Sequence, residues 1–497
     1  MHAPAWQVHL RPGSEIPTDP EAARRWLRRG DLPSALLRGG TGVALRWAGG
    51  ELSHDGLAAA VEEVAAGLAG LGAGPGERVL LHGAASCEWV LACLGALRAG
   101  AVVVPVNPDY REAEVAHILG DSEPALVVAD AARLDGVARL RPAHPGIRHV
   151  VDLAGLPRAP APAPDPGLGP ESAALIIYTS GTTGRPKGAL LDHGNLLAQG
   201  RGVVEAWRMD ASDRLALALP LHHLHGLAMG LVGTLLAGGS AALLRFSPEA
   251  VVAELGAGAT LFFGVPAMYQ RLAEHLEADP ADLGAVRLFV CGSAPLPPAL
   301  FERCAALLGQ PPLERYGITE GGVAVSTPCA GPRQPGRVGH PLPGVEVRLG
   351  AEAEVLLRGG QVFGGYWRNP AASAEVLEDG WLRTGDAGEI GADGSLAIRG
   401  RLKELIITGG LNVYPREVEA VLEEHPAVAD VAVAGLPSER WGEQVTAFVV
   451  ARVPVGEEEL VAHARARLAP YKCPREVRFV PSLPRNALGK VVRSELS

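Results

Sequence analysis

The run ERVLLHG, AASCEWVLACLGALRAG, AVVVPVNP (77–108) alternates a short apolar strand, an amphipathic helix and a second apolar strand. That is a strand–helix–strand unit, which commits the fold to a parallel sheet with covering helices. PALVVAD (124–130) and IRHVVDL (147–153) continue the pattern, and the Pro/Ala-rich PRAPAPAPDPGLGP (157–170) reads as a semi-rigid surface connection. Beyond it, AALIIYTSG, RLALALPLHH, ATLFFGVPAMYQRL and VRLFVCGSAPLPPALFERCAALL each run from a strand into a polar loop or a helix. Ligands gather beyond the carboxyl ends of strands in such sheets, which is where these loops fall.

The character changes after about residue 345. VEVRL, AEVLLRG and LAIRG are short strands between turns, more antiparallel in style. Past GRLKELIITGG the order is helix, strands, helix and a final strand, a small α+β unit with its own core. A chain of 497 residues suggests two to four domains. With 47% hydrophobic and 20% charged residues it has the means to bury a large core. The net charge of −10 argues against a nucleic-acid surface. Gly226–Leu244 is uncharged for nineteen residues, but its five glycines and the Gly238–Gly239 break suit a buried helix followed by a strand, not a membrane span. The six cysteines have no paired spacing and read as thiols in a reducing compartment. The opening MHAPAWQVHLRPGSE lacks a basic region followed by an apolar core, so a cytosolic chain is expected.

YTSGTTGRPKG (178–188) resembles a phosphate cradle but not the Walker loop, because Lys187 is followed by Gly188 and Ala189 and the metal-binding hydroxyl is missing. Its glycines, 181 and 184, let backbone N–H groups approach an anion, while Thr179, Ser180, Thr182 and Thr183 add hydroxyl donors. Of 45 basic residues only four are lysines: 187, 403, 472 and 490. Where arginine serves for charge in general, a retained lysine marks a need for a compact ammonium.

Five motifs in order, YTSGTTGRPKG, YGITE (316–320), WLRTGD (381–386), GRLKELIITGG (400–410) and PRNALGK (484–490), resemble the adenylate-forming enzymes. These include the acyl-CoA synthetases, the peptide-synthetase adenylation domains and the luciferases. The resemblance implies an α/β fold. Its large N-terminal domain (1–400) has layered, parallel-rich sheets and a distorted β-barrel subdomain; a hinge (401–403) joins it to a small mobile α+β lid (404–497). It implies ATP and Mg²⁺ as requirements, with a carboxylate attacking the α-phosphate and a thiol then attacking the acyl-adenylate. The cradle, from Thr179 to Gly184 with Lys187, would hold the departing pyrophosphate. Tyr316 and Gly317 would pack on adenine, with Gly292, Ser293 and Ala294 on its other side. Thr319 and Glu320 would sit by the α-phosphate, Glu320 holding the metal. Asp386 and Arg401 would hold the ribose, Lys403 would be the hinge, and Lys490 would reach the α-phosphate and carboxylate. Three of the four lysines thus fall in catalytic motifs.

For the acid, PLHHLHG (220–226) matches the family's gate segment, with His223 at the gate and His225 beside the acyl group. His222 stands where an aromatic residue is usual, which leaves the pocket's polarity open. FFGVPAMYQRLAEHL (262–276) resembles the malonyl-CoA synthetase branch, in which Arg271 would meet a second carboxylate. The other reading puts Arg271 on the solvent side and the substrate among medium-chain fatty acids. CoA is the expected thiol, with Gly409, Gly410 and Lys472 at its site and Arg465, Arg467 and Arg475 as further basic candidates. A carrier protein is the alternative acceptor, and a luciferase-like oxygenase the alternative class.

Overall fold

The computed structural model describes residues 5–179, 186–485 and 491–496. Among them are four sheets. The seven-stranded sheet contains Arg78–His82, Val102–Val106, Leu126–Ala129 and His149–Asp152, all mutually parallel as the strand–helix–strand pattern requires. The nine-stranded sheet has a parallel centre built from Arg214–Leu217, Ser240–Leu243, Leu261–Gly264, Leu288–Cys291 and Leu313–Ile318. A five-stranded antiparallel sheet follows over residues 346–401. The last sheet, Ile406–Thr408 to Glu476–Phe479, packs helices Pro415–Glu423 and Glu457–Arg465 over its own apolar cluster, including Val413, Leu422, Val433 and Leu460. The fold is therefore mixed α/β, with a large sheet-rich N-terminal part, a half-barrel sheet and a small C-terminal domain.

The helices start where the sequence offers caps. Ser86 accepts from Trp89 N–H at 3.1 Å to open Cys87–Arg98, and Asp192 with Asn195 forms a capping box on His193–Ala206. The apolar stretch from residue 226 is a buried π-helical turn, His225–Val232, leading through Gly233–Leu236 to strand Ser240–Leu243. No described helix is long and apolar enough to cross a membrane. All six cysteines are free thiols and five are buried.

One element was not foreseen. The cradle does not lead into a helix: Ala173–Thr179 and Lys187–Asp192 pair antiparallel, with Thr179 opposite Lys187. The cradle therefore closes a β-hairpin, and it cannot borrow a helix N-terminus as a Walker loop does.

Candidate active site

Motif residues at strand ends of both large sheets meet: Thr179 ends Ala173–Thr179 and Glu320 follows Leu313–Ile318. Ser180, Gly181, Thr182, Thr183, Gly184 and Lys490 lie outside the described residues. The edges of the cradle do not. Thr179 Oγ1 donates to Glu320 Oε1 at 3.4 Å, and Tyr366 OH donates to the same oxygen at 2.9 Å. Lys187 Nζ stands 5.4 Å from the centre of the Tyr366 ring. Thr319 and Glu320 open a short 3₁₀ turn, Thr319–Gly321, after strand Leu313–Ile318. One carboxylate is thus tied to the near edge of the cradle and to Tyr366, a participant that the sequence motifs did not single out and whose ring faces Lys187.

The residues expected at the nucleoside are equally tight. Tyr316 is buried and donates its hydroxyl to Asp386 Oδ2 at 2.6 Å. That carboxylate and burial together push the phenol well above its ordinary pKa, burial being the larger cause. Arg401 Nε meets Asp386 Oδ1 at 2.8 Å, and its Nη1 donates to the Thr384 carbonyl at 3.1 Å. Strand pairing sets Asp386 opposite Arg401, so the fifteen-residue spacing in sequence becomes direct contact. Gly317 follows a bulge, and a Cβ there would lie 2.1 Å from the Gly322 carbonyl, so no other residue fits.

A second cluster, where the acyl group is expected, gathers three histidines and one arginine. The rings of His222 and His223 lie 4.2 Å apart, tilted at 55°, and His225 Nδ1 lies 3.3 Å from Ser293 Oγ. Ser293 adopts φ +70°, a left-handed conformation that turns its hydroxyl to both His225 and Arg315; half-buried Ala294 follows it. Arg315 Nη2 donates to Ser293 Oγ at 2.8 Å, while its Nε is buried without a hydrogen bond. Gly292 is needed to admit that guanidinium, since a Cβ would sit 2.4 Å from Nε. Burial pulls Arg315 down to about 10 and His222 to about 3; it also holds His225 well below its usual range, with the Arg315 charge as second cause. Arg271, by contrast, is exposed on helix Pro266–Ala278, its guanidinium over the Phe246 ring at 5.0 Å. Sequence reasoning passed over Arg315, although it directly precedes Tyr316 and strand alternation points it to the opposite face.

In the C-terminal domain, Lys403 sits in the 3₁₀ turn Leu402–Glu404 immediately after strand Leu396–Arg401. Gly409 and Gly410 have φ of +58° and +79°, the two-residue hairpin turn that joins Ile406–Thr408 to Leu411–Val413. Lys472 is ion-paired with Glu417, and Arg467 with Glu424. Arg475 instead lies 3.8 Å over the Trp441 ring, which packs on Gly409.

Burial of histidines has a measurable consequence. His9, His82 and His193 are each pulled down to about 4 by desolvation. Unfolded histidines bind protons near 6.5, so between 6.5 and 4 the unfolded chain binds more protons than the folded one. The stability they contribute is complete above about pH 6.5 and is lost as pH falls, about 3 kcal/mol for each histidine by pH 4. Thermal melts should therefore fall steeply between pH 6.5 and 4.5. A melting temperature that stays flat across this window would contradict three neutral, buried rings.

Comparison with known proteins agrees with this geometry. Residues 37–367 match the AMP-binding enzyme family, and residues 417–490 match the AMP-binding enzyme C-terminal domain. A feruloyl-CoA synthase from an Amycolatopsis species is 37% identical over 470 residues, covering 91% of this chain and 95% of the relative. A malonate–CoA ligase of Arabidopsis thaliana is 34% identical over 481 residues, covering 86% and 78%. The crystal structure of ATP-bound MatB from Rhodopseudomonas palustris superposes with a TM-score of 0.88 at 36% identity, covering 93% of this chain and 97% of that one. The chain belongs to the AMP-binding enzymes and is an AMP-forming acyl-CoA ligase, joining a carboxylic acid to CoA with ATP through an acyl-adenylate.

Proposed function

We propose that the acid is short and carries a second carboxylate, as malonate and methylmalonate do, and that Arg315 receives it. The supporting observation is the buried guanidinium. Its Nε has no hydrogen bond, and among the described residues no carboxylate lies within ion-pair distance. A buried charge left in that state is expensive, and a substrate carboxylate beside Ser293 and His225 would relieve it. Arg271, exposed on Phe246, is the weaker anchor. An aromatic acid like the one in the feruloyl relative's name, or a medium-chain fatty acid, would leave Arg315 unmet, at a cost of about 1–3 kcal/mol. Pyrophosphate release that depends on both CoA and acid, measured across malonate, methylmalonate, ferulate and octanoate, tests this. A preference for ferulate or octanoate ends the reading.

Glu320 would hold Mg²⁺. One of its oxygens is engaged by Thr179 and Tyr366, and the other would be the ligand for a hard cation. When bound, the ion would neutralise phosphate charge. The chain's own residues do the positioning: Asp386 and Arg401 orient the ribose, Tyr316 covers the adenine, and Lys187 with Thr179 borders the phosphates. His223 would stand between the acyl group and the entering thiol.

On the thiol side, CoA is favoured over a carrier protein by the stack of Arg475 and Arg440 on Trp441, at 3.8 and 4.8 Å beside the Gly409–Gly410 turn. An aromatic face with two guanidinium groups suits the nucleotide end of CoA. Lys472, already engaged by Glu417, is a support and not the first contact. Between a body of residues 1–400 and a lid of 404–497, residues 401–403 would turn so that the lid serves each half-reaction, with Lys403 as the pivot. Lys403→Pro fixes φ and should preserve adenylation while abolishing the CoA step. Full turnover by Lys403→Pro would rule the pivot out.

A further inference from the structure

Both flanks of the cradle are fastened to one helix, Glu112–Ser122, which carries no motif residue. His117 and Asp121 stand four residues apart on it and so share a face. Asp121 Oδ2 accepts from the Tyr178 hydroxyl at 2.5 Å, and Tyr178 directly precedes Thr179. His117 Nε2 lies 2.9 Å from the Pro186 carbonyl, and Pro186 directly precedes Lys187. A carbonyl only accepts, so Nε2 carries the proton. The imidazole also meets the Tyr178 ring edge-on, with centroids 6.2 Å apart, so the two ties form one unit. A third tie runs through Trp367. Its backbone N–H donates to the Gly188 carbonyl at 2.7 Å, and its indole N–H to the Asp121 carbonyl at 3.1 Å. Core packing accounts for Val115, Ile118 and Leu119 of this helix. It does not account for three polar ties that each land one residue from Thr179 or Lys187.

We propose that His117 and Asp121 are positioning residues for the ATP half-reaction, His117 setting Lys187 and Asp121 setting Thr179 against the phosphates. The inference rests on the reading that Thr179 and Lys187 border those phosphates. Pro186 has no N–H, so its carbonyl is the one backbone group there that needs a partner. Held by His117, that oxygen points to the helix. Released, it is free to turn a negative dipole toward the phosphates and to carry Lys187 with it. On the other flank, burial and then the Asp121 carboxylate hold the Tyr178 phenol well above its ordinary pKa, so it always has a proton to give. A fixed backing matters because misplacing a charge by about 1 Å costs roughly a hundredfold in rate. The thiol step follows pyrophosphate departure and should not feel the brace.

His117→Leu should raise the KM for ATP in pyrophosphate release by about tenfold or more, with the KM for the acid unchanged. Thioester formation from supplied acyl-adenylate should also match wild type. His117→Gln, whose amide nitrogen can donate to the same carbonyl, should recover most of the loss. Tyr178→Phe keeps the buried ring, drops the bond to Asp121 and should show the same split; it decides the matter should His117→Leu fail to fold. The sharpest readout is a double-mutant cycle. If His117 acts through Lys187, adding His117→Leu to Lys187→Ala should cost less than about twofold more. Additive losses, equal slowing of both half-reactions, or a His117→Gln no better than His117→Leu would overturn the brace in favour of a helix that only stabilises the fold. A raised KM for ATP in Lys187→Ala, with normal values in His117→Leu and Tyr178→Phe, overturns the brace and leaves the phosphate reading standing. A normal KM for ATP in Lys187→Ala brings down both.

Discussion

Lys490→Ala is expected to slow acyl-adenylate formation by about a hundredfold or more while largely sparing thioester formation from supplied acyl-adenylate. The first step builds negative charge where carboxylate meets α-phosphate, and a preorganised ammonium there is worth roughly 3–4 kcal/mol. The thiol attack develops no such charge at that point. Lys490 lies outside the described residues, but its flanks are firmly held. Arg485 bridges Val491, Val492 N–H donates to the Pro484 carbonyl at 2.9 Å, and Arg493 is tied to Glu404 and Glu419 at 2.7 Å each. Arginine at 490 should fail to rescue, because a chain with four lysines among 45 basic residues has kept this one where a compact charge is needed. Equal losses in the two half-reactions, measured by pyrophosphate exchange and by CoA acylation, would show that Lys490 acts elsewhere.

What the sequence made legible follows from how local each signal is. Strand–helix–strand alternation is a short-range pattern, so the parallel sheets could be read from it. Asp386 and Arg401 could be paired because family motifs carry them, and strand pairing then brings them within 2.8 Å. The hairpin that closes the cradle was not legible. KGALLD follows a loop of glycines and threonines, and nothing in its composition separates a returning strand from a helix start. Nor was Arg315. Its meaning depends on Ser293, twenty-two residues away in a left-handed conformation, and on Gly292 leaving room for it. Arg271 shows the converse limit: its segment resembles a branch of the family, while the residue itself is exposed over Phe246, the solvent-side position that the sequence left as one of two readings. Position in a motif fixes an element, and the packing of other elements decides which side chain is enclosed.

Replacing Arg315 by leucine should lower kcat/KM for malonate or methylmalonate by about a hundredfold or more, close to 3 kcal/mol, the usual cost of removing one partner of a desolvated charge pair. Monocarboxylates should be used as well as before or better, because the variant pocket no longer holds an unmet guanidinium. Arg315→Lys keeps the charge but loses the fork that can bind Ser293 and a carboxylate together, so it should fall between wild type and Arg315→Leu. Arg271→Ala is the discriminating companion. If the exposed arginine is the anchor, it will suffer the dicarboxylate loss and Arg315→Leu will not. A general collapse of the fold is separated by the monocarboxylate rate, which an unfolded enzyme could not retain. Loss of both acid classes in Arg315→Leu, with the melting temperature unchanged, would reassign Arg315 from the acid to the support of Ser293 and the adenylate.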